Sequence, residues 1–382
     1  MKQPRAIADV QALCGLQLPA TTLVPAVLEA LHALVPSYRN LFDWTDEQGR
    51  LLHYFIEGPI DARIAQLYFD EFHNRREAEA MPRFDTLVRH PRGVRSAQEL
   101  EHAAFFHSAL YNEIWRPQGF HTRLEAVVRG TFGQLVGSLV LYRAAGEPRF
   151  TLQDERLLAA VLPALGAGLQ AAGRAALAGP DDRHVPSPDP AESVLPTLQG
   201  QICHASAGAH RLLLMAEGGA ARQSLCKPLE LLAGGLLSLL LAQLQAQARA
   251  ADAGGALQTL RPPSSVTHET AAGQFVASGV LLRPVRSGDA TMAQVTLRRL
   301  EPHRVALERA LRALPLTAGQ AAVCRQLLQG HTHSHISQAL GVAPATVVDH
   351  VRKLYRALDL RSALDLRALM EARVASTQRQ PA

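Results

Sequence analysis

The residues of strongest chemical character that lie close together fall between His331 and Arg356. His331, His333 and His335 alternate with Thr332 and Ser334, a spacing that invites comparison with a metal site. On a helix only His331 and His335, four apart, share a face, and His333 points away. Exposed or phosphate-facing histidines fit the pattern better, and no metal is expected. Further on, PATVVDHVRKLYRAL (344–358) sets Val347, Val351, Leu354 and Leu358 at i, i+4, i+7 and i+11, one apolar stripe at helical period. Asp349, Arg352, Lys353 and Arg356 occupy the opposite side. Such a helix can pack through its inner residues while its outer ones meet base edges and phosphates in a groove. Catalytic patterns are missing from the rest of the chain. There is no G-x-x-x-x-G-K-[ST] loop, no G-x-G-x-x-G after a strand, no G-x-S-x-G elbow and no acidic cluster of phosphoreceiver type. No cofactor and no enzymatic activity are expected.

The elements that must position this helix are written just before it. Thr317 caps a helix start and Gln320 can reach back to it, the T-x-x-Q capping box, with Val323, Leu327 and Leu328 on the buried side. Gly330 ends that helix, and a second, from about His333 to Leu340, turns Ile336 and Leu340 inward. Gly341-Val342-Ala343 makes the turn, and Pro344 suits the first position of the next helix, where its missing N–H costs nothing. Three short helices with a glycine turn between the last two predict a helix-turn-helix.

The run LTAGQAAVCRQLLQGHTHSHISQALGVAPATVVDHVRKLYRALDLRS resembles the LuxR-type helix-turn-helix of bacterial transcription regulators. The matching residues are Leu316, Thr317, Gly330, Ile336, Leu340, Thr346, Val347, His350 and Leu358, within about 55 of the 382 residues. The resemblance implies base-edge contacts at Val348, Asp349 and Arg352, with Thr346 and Lys353 nearer phosphates, Arg356 on the same face and His350 against the DNA backbone or the helix core. Departures from the family pattern are Gln320 for Glu, Ser334-His335-Ile336-Ser337 for Lys-Glu-Ile-Ala, Ala363 for Arg and, on the DNA face, Val348 for Lys. A Val can touch a thymine methyl and an Asp can accept from cytosine N4, but neither adds charge attraction. Weak or partner-dependent affinity is therefore expected. Leu366, Leu369 and Met370 on the last helix, Ser362 to Val374, stand where such domains commonly dimerise.

Whole-chain properties agree with this. A length of 382 residues predicts two or three domains, and 47% hydrophobic with 19% charged residues allows ordinary cores. A formal charge of +5 permits nucleic-acid binding without requiring it, and residues 316–373 hold seven Lys or Arg against four Asp or Glu. Cys14, Cys203, Cys226 and Cys324 form no C-x-x-C pair, as expected of a reduced cytoplasmic chain. The start lacks a signal-type apolar core. The apolar run from Leu229 to Leu244 contains Glu230, two glycines and Ser238 and falls short of the roughly 20 residues a bilayer needs, so a buried helix, and no membrane partner, is expected.

An α+β multidomain chain is expected: 1–176, linker 177–193, 194–301, connector helix 302–314, helix-turn-helix domain 315–376 and disordered tail 377–382. In the first part, Leu23 to Val35 predicts a helix, Tyr38 to Trp44 and Leu51 to Ile56 a hairpin, and Ile60 to Phe72 and Glu99 to Trp115 further helices. Arg123 to Arg129 and Leu135 to Arg143 predict strands, and Thr151 to about Ala176 a long helix. LVGSLVLYRAAGEPRFTLQDERLLAAVLPALGAGL resembles the close of a GAF domain, which implies a small-molecule or protein-interaction sensor. Of 19 aromatic residues 17 lie between Tyr38 and Phe150, so an effector pocket belongs here, unless this domain simply has the larger aromatic core. Proline-rich AGPDDRHVPSPDPAES (178–193) predicts a linker. Beyond it, strand Gln199 to His204, helix Ala207 to Met215, long helix Leu229 to Arg249 and the pair Phe275 to Pro284 with Met292 to Arg299 across Arg286-Ser287-Gly288-Asp289 weakly resemble a PAS-like fold, read as a dimerising or relay module. HRVALERALRALP is either a signal-carrying connector or a solvated tether.

Two readings follow. One is a DNA-binding transcriptional regulator, a homodimer on paired half-sites of double-stranded DNA, answering to a small-molecule effector and with RNA polymerase as a candidate partner. The alternative is a protein-interaction regulator whose helix-turn-helix has little DNA affinity.

Overall fold

Strand β1 (Arg39–Thr45) and strand β2 (Leu51–Ile56) form a hairpin whose turn is set by Asp46. Its carboxylate accepts from the backbone N–H of Gln48 (3.0 Å) and Arg50 (2.8 Å), and Gly49 takes the left-handed φ of 80° that the turn demands. The computed structural model describes residues 2–58, 61–82, 88, 93–95, 98, 101–172, 183–217, 229–232, 234–252, 263–270, 273–282 and 290–377. Within them the chain is mixed α/β, two antiparallel sheets followed by a group of helices.

The first sheet adds β3 (Val94–Arg95), β4 (Thr122–Arg129) and β5 (Leu135–Arg143) in the order β2-β1-β5-β4-β3. One face, with Phe42, Trp44, Leu124, Val128, Leu139 and Leu141, packs under α1 (Lys2–Cys14), α2 (Ala20–Leu31) and the long helix α6 (Leu152–Ala172). That helix approaches so closely that a Cβ on Gly166 would lie 1.8 Å from the carbonyl oxygen of Arg129. The other face is covered by α3 (Ala62–Leu67), which runs into a π-helical turn Tyr68–Arg76, then α4 (Glu77–Ala80), α5 (Ala103–His107) and a second π turn, Leu110–Trp115. The helix expected over Ile60–Phe72 is present from Ala62, passing from α to π geometry at Tyr68, whereas the second, expected over Glu99–Trp115, is broken. The second breaks at Ser108, whose hydroxyl donates to the carbonyl of Phe105 (2.7 Å) and accepts from the N–H of Tyr111 (3.2 Å), satisfying groups that a helix would have paired.

The second sheet has the order β8-β7-β11-β10-β9, built from β7 (Glu192–Pro196), β8 (Ile202–Ala205), β9 (Ser264–Thr270), β10 (Gly273–Leu282) and β11 (Met292–Pro302). Helices α7 (Ala209–Ala216) and α8 (Gly235–Asp252) cover it. The long helix expected from Leu229 starts at Gly235, after a 3₁₀ turn at Leu229–Leu232, because Gly235 has φ 50°. The expected turn 286–289 lies outside the described residues.

The linker expected over 177–193 is corrected from Arg183 onward. β6 (His184–Pro186) pairs with the far end of β11, Val185 opposite Glu301, and β7 already begins at Glu192. Proline is tolerated here because Pro186 ends a three-residue edge strand, where a ladder N–H can be spared.

The third core joins α9 (His303–Arg312), α10 (Ala318–Leu328), α11 (His333–Leu340), α12 (Pro344–Leu358) and α13 (Ala363–Thr377). Val305, Ala306, Ala310 and Leu311 of α9 are buried, so this segment is a packed connector rather than a solvated tether. The tail positions 378–382 lie outside the described residues.

Candidate nucleic-acid interface and ligand cavity

Three predicted local signals of the helix-turn-helix are present. Thr317 N–H donates to Gln320 Oε1 (2.8 Å) and Gln320 N–H to Thr317 Oγ1 (3.3 Å), the reciprocal capping box. Gly341, at φ 63°, reverses the chain after α11, and Pro344 opens α12. Val347, Val351 and Leu354 are buried against Val323, Cys324, Leu327 and Ile336. That burial turns Thr346, Val348, Arg352, Lys353 and Arg356 outward, with Val348 52% exposed.

Asp349 sits between the cations of this face. Its carboxylate meets Arg352 at 2.8 Å and Lys353 at 2.6 Å, and these two hydrogen-bonded partners hold it below the usual carboxylate range. Its oxygens are therefore already engaged by its helix neighbours rather than held open for a cytosine amine. His350 departs from the outward group: it is half-buried, and its ring lies so near α10 that a Cβ on Gly319 would come within 3.1 Å of it. Of the two positions expected for His350, the structure takes the one against the helix core.

The dimer-seam position expected for Leu366 and Met370 is corrected, while that of Leu369 is left open. Leu366 and Met370 are completely buried in their own chain's core and Leu369 is half-buried, because α13 folds back on α9 and α10. His331 and His335 lie with ring centroids 4.2 Å apart and their planes tilted by 35°, and His331 Nδ1 lies 2.8 Å from Gln326 Oε1. Among the described residues no three His, Cys, Asp or Glu side chains converge as metal ligands.

Helix α1, which drew no expectation from its sequence, ties this end of the chain to the first sheet. Arg5 donates to the carbonyls of Leu316 (2.7 Å) and Leu311 (2.9 Å) and pairs with Asp9 (2.8 Å). Asp9 also pairs with Arg325, which holds Glu308 of the connector at 2.9 Å. On the other side of the connector, Arg309 bridges Glu29 of α2 (2.7 Å) and Glu301 of β11 (2.8 Å).

The aromatic concentration between Tyr38 and Phe150 surrounds a cavity of about 140 Å³ under the π turns. Strand register builds its floor. Asp43 lies opposite Tyr54 and Ser138, Leu41 opposite Ile56 and Val140, and Arg123 opposite Tyr142, so these side chains share the face that α1, α2 and α6 do not cover. Burial lifts the Asp43 carboxyl to about 7; the Ser138 hydroxyl opposes this and Glu125 reinforces it. Arg123 is committed to Glu125 (2.9 Å), which also takes Arg95 (2.9 Å). Tyr68 donates to Glu77 (3.0 Å), and burial followed by that carboxylate's charge raises the Tyr68 phenol. No sequence signal marked Asp43, within the expected strand Tyr38 to Trp44, or Thr45, just beyond its end.

No protein-family model matches the chain, and neither does any curated protein. Among solved structures it is similar to the VqmA dimer of Vibrio cholerae, described as a LuxR-type receptor, at 19% identity over 50% of this chain and 90% of that one, with a TM-score of 0.17. The VqmA complex with ligand and DNA from the same organism gives 16% identity over 50% and 89%, TM-score 0.21. The DhaR(N)–DhaL complex of E. coli gives 13% over 77% and 86%, TM-score 0.19. At these scores the likenesses assign no role to any residue. Among the described residues no helix is long and apolar enough to cross a membrane.

Proposed function

We propose that this chain is a DNA-binding transcription regulator of LuxR type, without catalysis of its own, governed by a small molecule held in a GAF-like N-terminal domain and relayed through a PAS-like middle domain. The observation that carries it is α12, whose Val347, Val351 and Leu354 are buried while Thr346, Val348, Arg352, Lys353 and Arg356 stand outward on one face. Two such helices in a homodimer would enter major grooves one helical turn apart. Two routes support coupling from sensor to DNA. One apolar cluster is continuous from Tyr54 and Phe69 at the cavity to Leu213 and Val295 of the middle unit, and β11 of that unit runs directly into α9. Helix α1 holds the start of the helix-turn-helix by direct bonds.

Fragments of the source genome selected by the purified chain and sequenced across salt concentrations test this. A discrete near-palindromic site with steep salt dependence is expected. Replacing Arg352 by Ala should weaken specific binding by about 1–3 kcal/mol. Unchanged affinity would sink the groove-reading role of α12. A protein-interaction role for the same helix is favoured by one observation, the engagement of both Arg352 and Lys353 by Asp349. Asp349→Asn separates the two. A DNA reader should gain affinity and a steeper salt slope as its cations are freed, whereas an interaction module should remain without DNA affinity.

A further inference from the structure

The sensor reading above leaves its ligand unnamed, and the cavity's composition narrows the chemistry. A volume of about 140 Å³ is that of one six-membered ring with a small substituent, since a cavity of roughly 150 Å³ admits benzene. Tyr54, Phe69, Trp115 and Phe120 supply aromatic walls. The polar floor is unevenly satisfied. Thr45 is 8% exposed and lines the cavity, and its Oγ1 is buried with no hydrogen-bond partner, although buried hydroxyls ordinarily have one. Among the described residues Asp43 accepts a single hydrogen bond, from Ser138 Oγ at 3.1 Å, and no cation stands within ion-pair distance of it. The lining's one guanidinium, Arg123, is held by Glu125 (2.9 Å), and Glu77 is a third carboxylate of the lining. What Asp43 lacks is a cationic donor, and what Thr45 Oγ1 lacks is a partner of either kind.

We propose that the N-terminal cavity binds a one-ring organic amine, its protonated nitrogen on Asp43, a second donor reaching Thr45 Oγ1 and its ring among Tyr54, Phe69 and Trp115. Anionic ligands are disfavoured beside the Asp43 carboxylate, and a neutral donor offers it a hydrogen bond without the charge that an ammonium adds. Facing Asp43 are Tyr54 from β2, Ser138 and Tyr142 from β5, Arg123 and Glu125 from β4, and Tyr68, His73 and Glu77 from the covering turns. Burial lifts Asp43 to about 7, so amine binding weakens as the carboxyl takes up its proton below that pH.

Calorimetry and thermal shift on the full chain at pH 8, with benzylamine, benzyl alcohol and benzoate as probes, test the proposal, which rests on the sensor reading. Benzylamine should bind about 10- to 100-fold more tightly than benzyl alcohol, the range a charge-assisted hydrogen bond gives, and benzoate more weakly than either. Asp43→Asn should erase the preference for benzylamine, and Thr45→Val should leave benzylamine over benzyl alcohol while abolishing any advantage of a ring bearing a second donor, read with 3-hydroxybenzylamine. Benzyl alcohol or benzoate matching benzylamine, or an unchanged preference in Asp43→Asn, overturns the amine assignment and leaves a sensor of other specificity. Failure of every one-ring probe to shift the melting temperature overturns the cavity as an effector site and the sensor reading with it.

Discussion

The two sheets of this chain share one strand order and have opposite interiors. Counting from the first of five strands in each, both run 2-1-5-4-3. At the centre of the first, Asp43 of β1 faces Ser138 of β5 across the ladder, and the covering segments stand off as π turns to leave a cavity. At the corresponding place in the second, Val194 of β7 faces Val295 of β11. There α8 comes down with Leu236, Leu237, Leu240, Leu241 and Leu244 onto Phe275, Ala277 and Gly279. A Cβ on Gly279 would meet Leu240 Cδ2 at 3.0 Å and Leu244 Cδ1 at 3.2 Å. Small strand residues let a leucine-rich helix close, whereas a polar strand face under aromatic cover holds it open. One topology thus encloses a cavity or a filled interior according to the few residues on its inner face.

The sharpest way to break this comparison is truncation. Leu240→Ala in the filled sheet should cost about 2–5 kcal/mol by chemical denaturation, since Leu240 is fully buried. Leu41→Ala beside the cavity should cost less than half of that, because its side chain already borders open space. Equal losses would show that the first interior is as filled as the second. Next in size is the ionisation of Asp43. Its folded value near 7 lies above the unfolded 3.8, so the protonated form favours folding. Stability from this group is complete below about pH 4 and falls as pH rises to 7, by up to about 1.4 kcal/mol per unit. Asp43→Asn should raise the melting temperature most at pH 8, less at pH 5 and little near pH 4; an equal effect at pH 8 and pH 4 would place Asp43 in contact with solvent. The smallest effect is at Thr45. Exchanging its unpaired buried hydroxyl for a methyl in Thr45→Val should stabilise the free chain by about 1 kcal/mol, and a comparable loss would reveal a partner for Oγ1.

How much of this was legible depended on how local the signal was. Pro344–Leu358 occupies the span its sequence predicts, and the Thr317–Gln320 box is formed, because caps, a first-turn proline and a glycine stop act within a few residues. The aromatic count pointed to the right sheet for a cavity. It could not expose Asp43 and Thr45, since the expected strand ended at Trp44 and only non-local segments roof this face over. Strand β9, SSVTHET, escaped because it carries one large apolar residue, Val266, and α1 because its partners Leu311, Leu316 and Arg325 lie some three hundred residues away. Leu366 and Met370 form a stripe that fits a dimer seam and an internal core equally well; the packing of α13 on α9 decided between them.

The short pairing of β6 with the end of β11 also bears on how this chain could be rebuilt. His184 lies across from Pro302, and the N–H of His303 donates to the carbonyl of Arg183 at 2.7 Å. The polypeptide therefore enters and leaves the middle sheet through one doorway. Everything from Ser187 to Glu301 is a closed excursion, and a join between Arg183 and His303 would have almost no distance to span. The middle unit is topologically a cassette, entered and left at one place, while Arg5, Asp9 and Arg325 tie the first helix of the chain to its C-terminal helices.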